Sequence, residues 1–243
     1  MKRIIFAFLC ILTGCVCGTS YENMTIITPK SPDLYAVATT QKITNATAPV
    51  HIYIEGDGHA FNSRGRATHN PTPRSTFVRD MAMADTSPNV VYIARPCQFI
   101  IDDKCTQVDW TTGRFSKQMV DSVANAIKSI AGKRPVILVG YSGGAMISGL
   151  IIQNHNDINV IQWITIAGVL NHSDWTDYFN DTPLTHSLNL NTLPHISQVH
   201  YVAENDKIVP MTLSKKWIGK NKMIVIPGAT HNSISIKKLE FIN

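Results

Sequence analysis

Ser142 stands in the run Gly140-Tyr141-Ser142-Gly143-Gly144, the G-x-S-x-G spacing of a nucleophile raised on a sharp turn. The chemistry open to such a serine is attack on an acyl carbonyl, with a base to take its proton and donors to receive the oxyanion. A turn that tight strains the serine backbone and crowds the positions two before and two after it. Both are glycine here, with no Cβ to clash. The N–H of Gly143 falls where the following segment begins, as a helix N-terminus that binds an oxyanion would. The same five residues also occur as a plain glycine-rich turn with an incidental serine, so the flanking elements must decide between the two.

The flanking elements are of the required kind. Val136–Val139 is a short apolar run with the composition of a strand buried on both faces. Ala145–Ile152 is apolar and ends near Asn154 and Asn156, as a short buried helix does. A serine nucleophile on such a sheet needs an acid and then a histidine, each after a later strand. After the apolar run Gln198–Ala203 come Glu204, Asn205 and Asp206; after Met223–Ile226 come Gly228, Ala229, Thr230 and His231. His231 is the only histidine beyond that last run. The order Ser142, Asp206, His231 predicts a triad in which His231 is the base and Asp206 fixes its tautomer, with Glu204 the rival acid. Taken singly, Asp206 reads equally as a solvated turn acid and His231 as a polar loop residue.

The remaining elements must carry these groups. Leu34–Thr39, Val50–Glu55, Val90–Ala94 and Val160–Ala167 read as further strands. Thr76–Ala84 is a modest helix, and Ser116–Ala131 is a clear one, with Met119, Val123, Ile127 and Ile130 at helical spacing. Strands alternating with helices predict an α/β fold with a mainly parallel central sheet and helices on both faces. In such sheets, catalytic loops gather at the carboxyl ends of the strands. Residues 19–243 have the size of one such domain, and Ser20–Pro32 reads as a tether or lead-in.

Residues 1–18 read as a signal peptide. Lys2 and Arg3 precede the apolar stretch Ile4–Leu12, whose nine residues fall short of the about 20 that span a bilayer. Leu12-Thr13-Gly14-Cys15 resembles a bacterial lipobox, in which cleavage before Cys15 leaves a lipid-modified N-terminus; an ordinary secretory cleavage near Gly14 or Gly18 is the alternative. Either reading exports the protein to the cell envelope, periplasm or medium. Loss of residues 1–14 removes Lys2 and Arg3 and no acid, taking the formal charge from +5 to +3. That is too mild, without a basic run, to indicate nucleic acid. The cysteines beyond the leader, Cys97 and Cys105, are a plausible disulfide in an oxidising compartment, adding roughly 2–3 kcal/mol. His51, His59 and His69 lack ligand spacing, and no metal is expected. Nor does any nucleotide-binding glycine motif call for a cofactor. The N-x-S/T patterns at Asn23, Asn45, Asn171 and Asn180 are read as incidental beside a bacterial leader.

With these residues in view, the chain resembles the α/β-hydrolase superfamily over nearly all of the mature protein. More narrowly, it is similar to a group of exported bacterial α/β hydrolases, many of them lipoproteins. The residues that carry this likeness are Ile54–Ala60, Ala94–Gln98 with Cys105, Trp110-Thr111-Thr112 with Arg114-Phe115-Ser116, and Gly140–Gly144. Ala167-Gly168, Asn171-His172, Trp175, Asp206 and Val209-Pro210 complete it. The resemblance implies that the Asp57 N–H joins that of Gly143 in an oxyanion hole, although Glu55-Gly56 replaces the usual His-Gly. A carboxylate at Glu55 or Asp57 aimed into the hole would oppose negative charge. Both must therefore turn away or find cations, with Arg95, Arg64 and Arg66 as candidates, the latter two reading better as ordinary surface arginines.

The resemblance also implies a short lid insertion over Val169–Ile196, where Trp175, Tyr178, Phe179 and Leu184 either line an acyl pocket or pack the loop. The expected activity is cleavage of a small carboxylic ester through an acyl-enzyme. Thioester, amide or peptide cleavage by the same triad is the neighbouring possibility, and a non-catalytic binding lipoprotein on the same fold is the alternative of a different class.

Overall fold

The computed structural model describes residues 24–242. The predicted signal peptide, with Cys15, lies outside these residues.

Eight strands among the described residues form one sheet: β1 (Thr25–Ile27), β2 (Val37–Ile43), β3 (Val50–Ile54), β4 (Asn89–Ile93), β5 (Val136–Tyr141), β6 (Val160–Ile166), β7 (Ser197–Ala203) and β8 (Lys222–Ile226). Their order is β1-β2-β4-β3-β5-β6-β7-β8, and every pair from β4 to β8 is parallel. Both antiparallel pairs involve β2, which lies between β1 and β4. The expected mainly parallel α/β sheet is therefore the observed one.

Side chains of the central strands enter two cores alternately, as the two-residue period of a strand requires. Val91 and Ile93 of β4 and Val136 and Leu138 of β5 face one core; Val90 and Tyr92, with Ile137 and Val139, face the other. The first core is covered by α3 (Lys117–Ala131), α4 (Gly143–Asn154) and α6 (Met211–Ile218). The second is covered by α1 (Phe77–Ala84) and by the C-terminal segment through Ala229, Ile234 and Leu239. Ser116 caps α3 by accepting from the Met119 N–H at 3.3 Å, which starts the helix where its apolar period begins. In α4, residues Gly143–Ile151 are all buried, which is why its sequence is apolar all round.

The structure differs from the sequence reading at five elements. The segment read as a tether contains β1, held by pairing of Ile26 with Ala38. The strand read over Leu34–Thr39 begins and ends later, because β2 pairs with β4 as far as Ile43 opposite Asn89. Three helices were missed: α5 (His172–Phe179), in the segment after β6; α6, after Asp206; and a short turn of helix, α2 (Gln107–Trp110), which follows the Cys97–Cys105 loop.

Candidate active site

Ser142 lies between the end of β5 and the start of α4, with φ 51° and ψ −120°. That is a left-handed conformation rare for a residue with a side chain, and the surrounding packing must hold it. The two flanking glycines have distinct reasons. A Cβ at Gly140 would fall 2.5 Å from the Gly144 carbonyl oxygen and 2.6 Å from Ala145 Cα, inside the turn itself. A Cβ at Gly144 would strike β3, 2.4 Å from the Ile54 carbonyl oxygen. Glycine at the second position thus lets α4 lie against the neighbouring strand.

The three residues expected to form a relay do come together. His231 Nε2 lies 3.0 Å from Ser142 Oγ, and His231 Nδ1 lies 2.8 Å from Asp206 Oδ2. All three are buried, at 9%, 7% and 7% exposure for Ser142, His231 and Asp206, so the hydrogen bonds act with little competing water. The other Asp206 oxygen accepts the N–H groups of Ile208 and Val209, both at 2.8 Å, and this fixes the carboxylate plane. The Tyr141 hydroxyl donates to the His231 carbonyl at 3.0 Å, tying the histidine loop to the elbow. Glu204, the rival acid, is exposed and accepts from the Gly228 N–H at 2.7 Å; it does not reach His231.

The segment Gly56-Asp57 runs past the serine. A Cβ on Gly56 would lie 3.1 Å from Ser142 Cβ. The Asp57 carboxylate turns into two guanidiniums: Oδ1 accepts from Arg95 Nη1, and Oδ2 accepts from Arg114 Nη1 at 3.0 Å. Burial alone would raise the Asp57 pKa, but Arg114 and Arg95 outweigh it and hold the carboxyl below its ordinary value. Of the cations named from sequence, Arg95 is a partner. Arg64 and Arg66 are the exposed surface arginines that the sequence favoured, and Arg114 is a second partner that the sequence did not name. The signal for Arg114 was its place in the Arg-Phe-Ser run ahead of the α3 cap.

Glu55 also turns away, accepting from the Gly56 N–H and from the Tyr92 hydroxyl, both at 2.9 Å. Burial pushes its carboxyl up to about 7, against the pull of those two donors.

On the far side of Asp206, Trp175 and Phe179 of α5 join Asn180, Asp181, Lys207 and Ile208 around an open groove of about 350 Å³. None of these lining residues is Ser142, His231 or Asp206; Ile208 follows Asp206 by two positions, and the Trp175 ring lies 5.5 Å from the Arg114 guanidinium. The Trp175 indole N–H donates to the Ile208 carbonyl at 2.6 Å. Leu184 is buried in the first core, whereas Tyr178 and Phe179 are exposed. The predicted aromatics therefore divide between packing and groove. Asn171, one of the N-x-S/T residues, caps α5 by accepting from the Asp174 N–H at 2.9 Å. Cys97 and Cys105 form a disulfide. Among the described residues, no three His, Cys, Asp or Glu side chains gather as metal ligands do.

No family model and no curated protein matches the chain by sequence. Solved structures do match in three dimensions. An α/β serine hydrolase homologue from Coxiella burnetii superposes with a TM-score of 0.52 at 16% identity, over 86% of this chain and 89% of that one. A serine hydrolase from Xanthomonas campestris, described as having no lid, gives 0.53 at 14% identity over 87% of each chain. The mouse α/β-hydrolase domain-containing protein 10 gives 0.55 at 14% identity, over 86% and 91%. These similarities establish the α/β-hydrolase fold.

Proposed function

We propose that this chain, with its α/β-hydrolase fold, is an exported serine hydrolase that cleaves small carboxylic esters. The observation that carries the reading is the position of His231, within hydrogen-bond reach of Ser142 Oγ on one ring nitrogen and of Asp206 on the other. Ser142 Oγ attacks the ester carbonyl while His231 Nε2 takes its proton. Asp206 holds the Nδ1–H tautomer and stabilises the imidazolium. The oxyanion is received by the main-chain N–H groups of Gly143 and Asp57. His231 returns the proton to the leaving alcohol, and water then cleaves the acyl-enzyme by the same steps in reverse. In this reading the groove at Trp175, Phe179 and Ile208 takes part of the substrate, and α5 with its neighbours acts as a short lid.

The test is hydrolysis of p-nitrophenyl esters from acetate to palmitate by residues 19–243. Ser142→Ala should lower kcat by several orders of magnitude, approaching the about 10⁶-fold seen when a serine nucleophile is removed. Equal turnover by both proteins would reject the reading.

Export and lipidation at Cys15 belong to the same proposal, supported by the Cys97–Cys105 disulfide, a bond that persists in oxidising compartments. Cys15→Ala should abolish lipoprotein processing and shift the protein out of the membrane fraction. Unchanged mass and partition would refute lipidation and leave simple secretion.

A further inference from the structure

We infer, resting on the reading above, that Arg95 and Arg114 are positioning residues for the oxyanion hole. Acting through Asp57, they hold in fixed relation the two main-chain segments whose N–H groups, at Asp57 and Gly143, receive the developing charge.

Three contacts close a ring. Asp57 accepts from Arg95 on Oδ1 and from Arg114 on Oδ2, and Arg95 Nη2 donates to the Arg114 carbonyl. The ring lies directly on the nucleophile elbow: a Cβ on Gly143 would fall 2.1 Å from Asp57 Oδ1 and 3.0 Å from Arg95 Nη1. One ionic cluster therefore belongs to the oxyanion loop through its carboxylate and touches the other donor residue through its outer surface. This also gives a reason for glycine at position 143 that the turn itself does not supply.

The loop is pinned on the adjoining side as well. The Gly56 carbonyl accepts from Gln98 Nε2 at 2.9 Å, and Gln98 Oε1 accepts from the Arg95 N–H at 3.0 Å. Arg95 thus reaches the loop by its own side chain and, through Gln98, by its main chain. Phe115 lies 5.1 Å from the Arg95 guanidinium and 5.9 Å from that of Arg114, and Phe61 lies 5.5 Å from Arg114. Both arginines are buried, at 2% and 5% exposure.

Stability alone is a poor reason for such a cluster, because apolar residues of similar volume serve packing as well or better than a buried ion pair. The hole supplies a better one. A lone carboxylate beside it would oppose the oxyanion. Two guanidiniums on that carboxylate leave one net positive charge next to the place where negative charge develops. Arginine, with its planar fork, can also bind a carboxylate oxygen and a carbonyl at once, which lysine cannot do in the same geometry.

The experiment is steady-state hydrolysis of p-nitrophenyl acetate by Asp57→Asn, Arg95→Lys and Arg114→Ala, with each melting curve recorded. Misplacing a catalytic donor by about 1 Å costs about 100-fold. We expect kcat to fall by about that factor while KM stays within about threefold, well below each variant's Tm. Millimolar guanidinium should restore about tenfold of the lost kcat to Arg114→Ala by refilling the site of the missing fork. If Arg114→Ala does not fold, Asp57→Asn and Arg95→Lys carry the same test. The inference is overturned if folded variants keep the wild-type kcat, or if the loss lies in KM, or if it only tracks the fraction unfolded. Fluorophosphonate labelling of Ser142 in the unaltered protein separates the two levels. An unaltered protein inert to both probe and ester would sink the hydrolase reading and the inference with it, whereas active wild type with active clamp variants sinks the inference alone.

Discussion

Among the described residues, a buried and a half-buried grouping of serine, histidine and aspartate lie at opposite ends of the sheet, and only the buried one divides its imidazole nitrogens between serine and acid. At the carboxyl ends of the strands, His231 gives one ring nitrogen to Ser142 and the other to Asp206. Near the amino end of β3, His51 gives the same nitrogen to both partners: Nδ1 lies 2.7 Å from Asp85 Oδ2 and 3.1 Å from Ser87 Oγ. A proton cannot pass from that serine through the ring to that acid, because both meet the same atom. Tyr53 adds a further hydrogen bond to Asp85 at 2.8 Å, and Phe241 packs its ring on His51 with centroids 4.2 Å apart. This second cluster joins the end of α1 to β3 and to the C-terminal segment. Residue types alone do not distinguish the two clusters; the division of the imidazole nitrogens does.

The largest test of that contrast is the same substitution at both ends. Asp206→Asn should cost about 10⁴-fold in kcat, because an amide favours the wrong tautomer of His231. Asp85→Asn should leave kcat essentially unchanged and lower stability by about 2–3 kcal/mol, the worth of hydrogen bonds to a buried charge. The pH dependence sharpens the point. Burial would raise the Asp85 carboxyl, but the hydrogen bonds from His51, Ser87 and Tyr53 prevail and hold it below its ordinary value of 3.8. Its stabilisation is therefore complete above that value and is lost as pH falls through the depressed one. Asp85→Asn should flatten that acid limb in chemical denaturation, and a kcat loss in this variant comparable to that of Asp206→Asn would break the distinction.

The relay was legible from sequence because its parts are marked locally. Strands buried on both faces are continuous apolar runs, and in a parallel sheet each hands its next residues to the same edge. Ser142, Asp206 and His231 each follow such a run. What escaped was held by distant partners. β1 has three residues, and its pairing with β2 is not announced by its own polar surroundings. The polar half of β2, Thr40-Gln41-Lys42, is strand because it pairs with β4, not because it alternates. Arg114 reaches Asp57 across 57 positions of chain, so it was not named beside Arg95 as a partner of that carboxylate. The His51 cluster lay hidden for the same reason, with its acid 34 positions away.

A third buried carboxylate completes the comparison, since Asp206 and Asp85 each have an imidazole and Glu55 has none. It sits at 4% exposure with two neutral donors, and burial pushes its carboxyl from 4.5 up to about 7. The sign is opposite to that of Asp85. Between those two values the folded protein holds a proton that the unfolded chain releases, so stability should fall as pH rises from about 4.5 to about 7 and level off above. The two values bound the effect at up to about 3 kcal/mol. Glu55→Gln keeps the size of the side chain and removes the titration. Urea unfolding of the two proteins across this range should give a sloping line for the wild type and a flatter one for the variant. Parallel lines would mean that Glu55 ionises as an ordinary carboxyl, and that the strand leading into Gly56-Asp57 tolerates a buried charge without an imidazole to meet it.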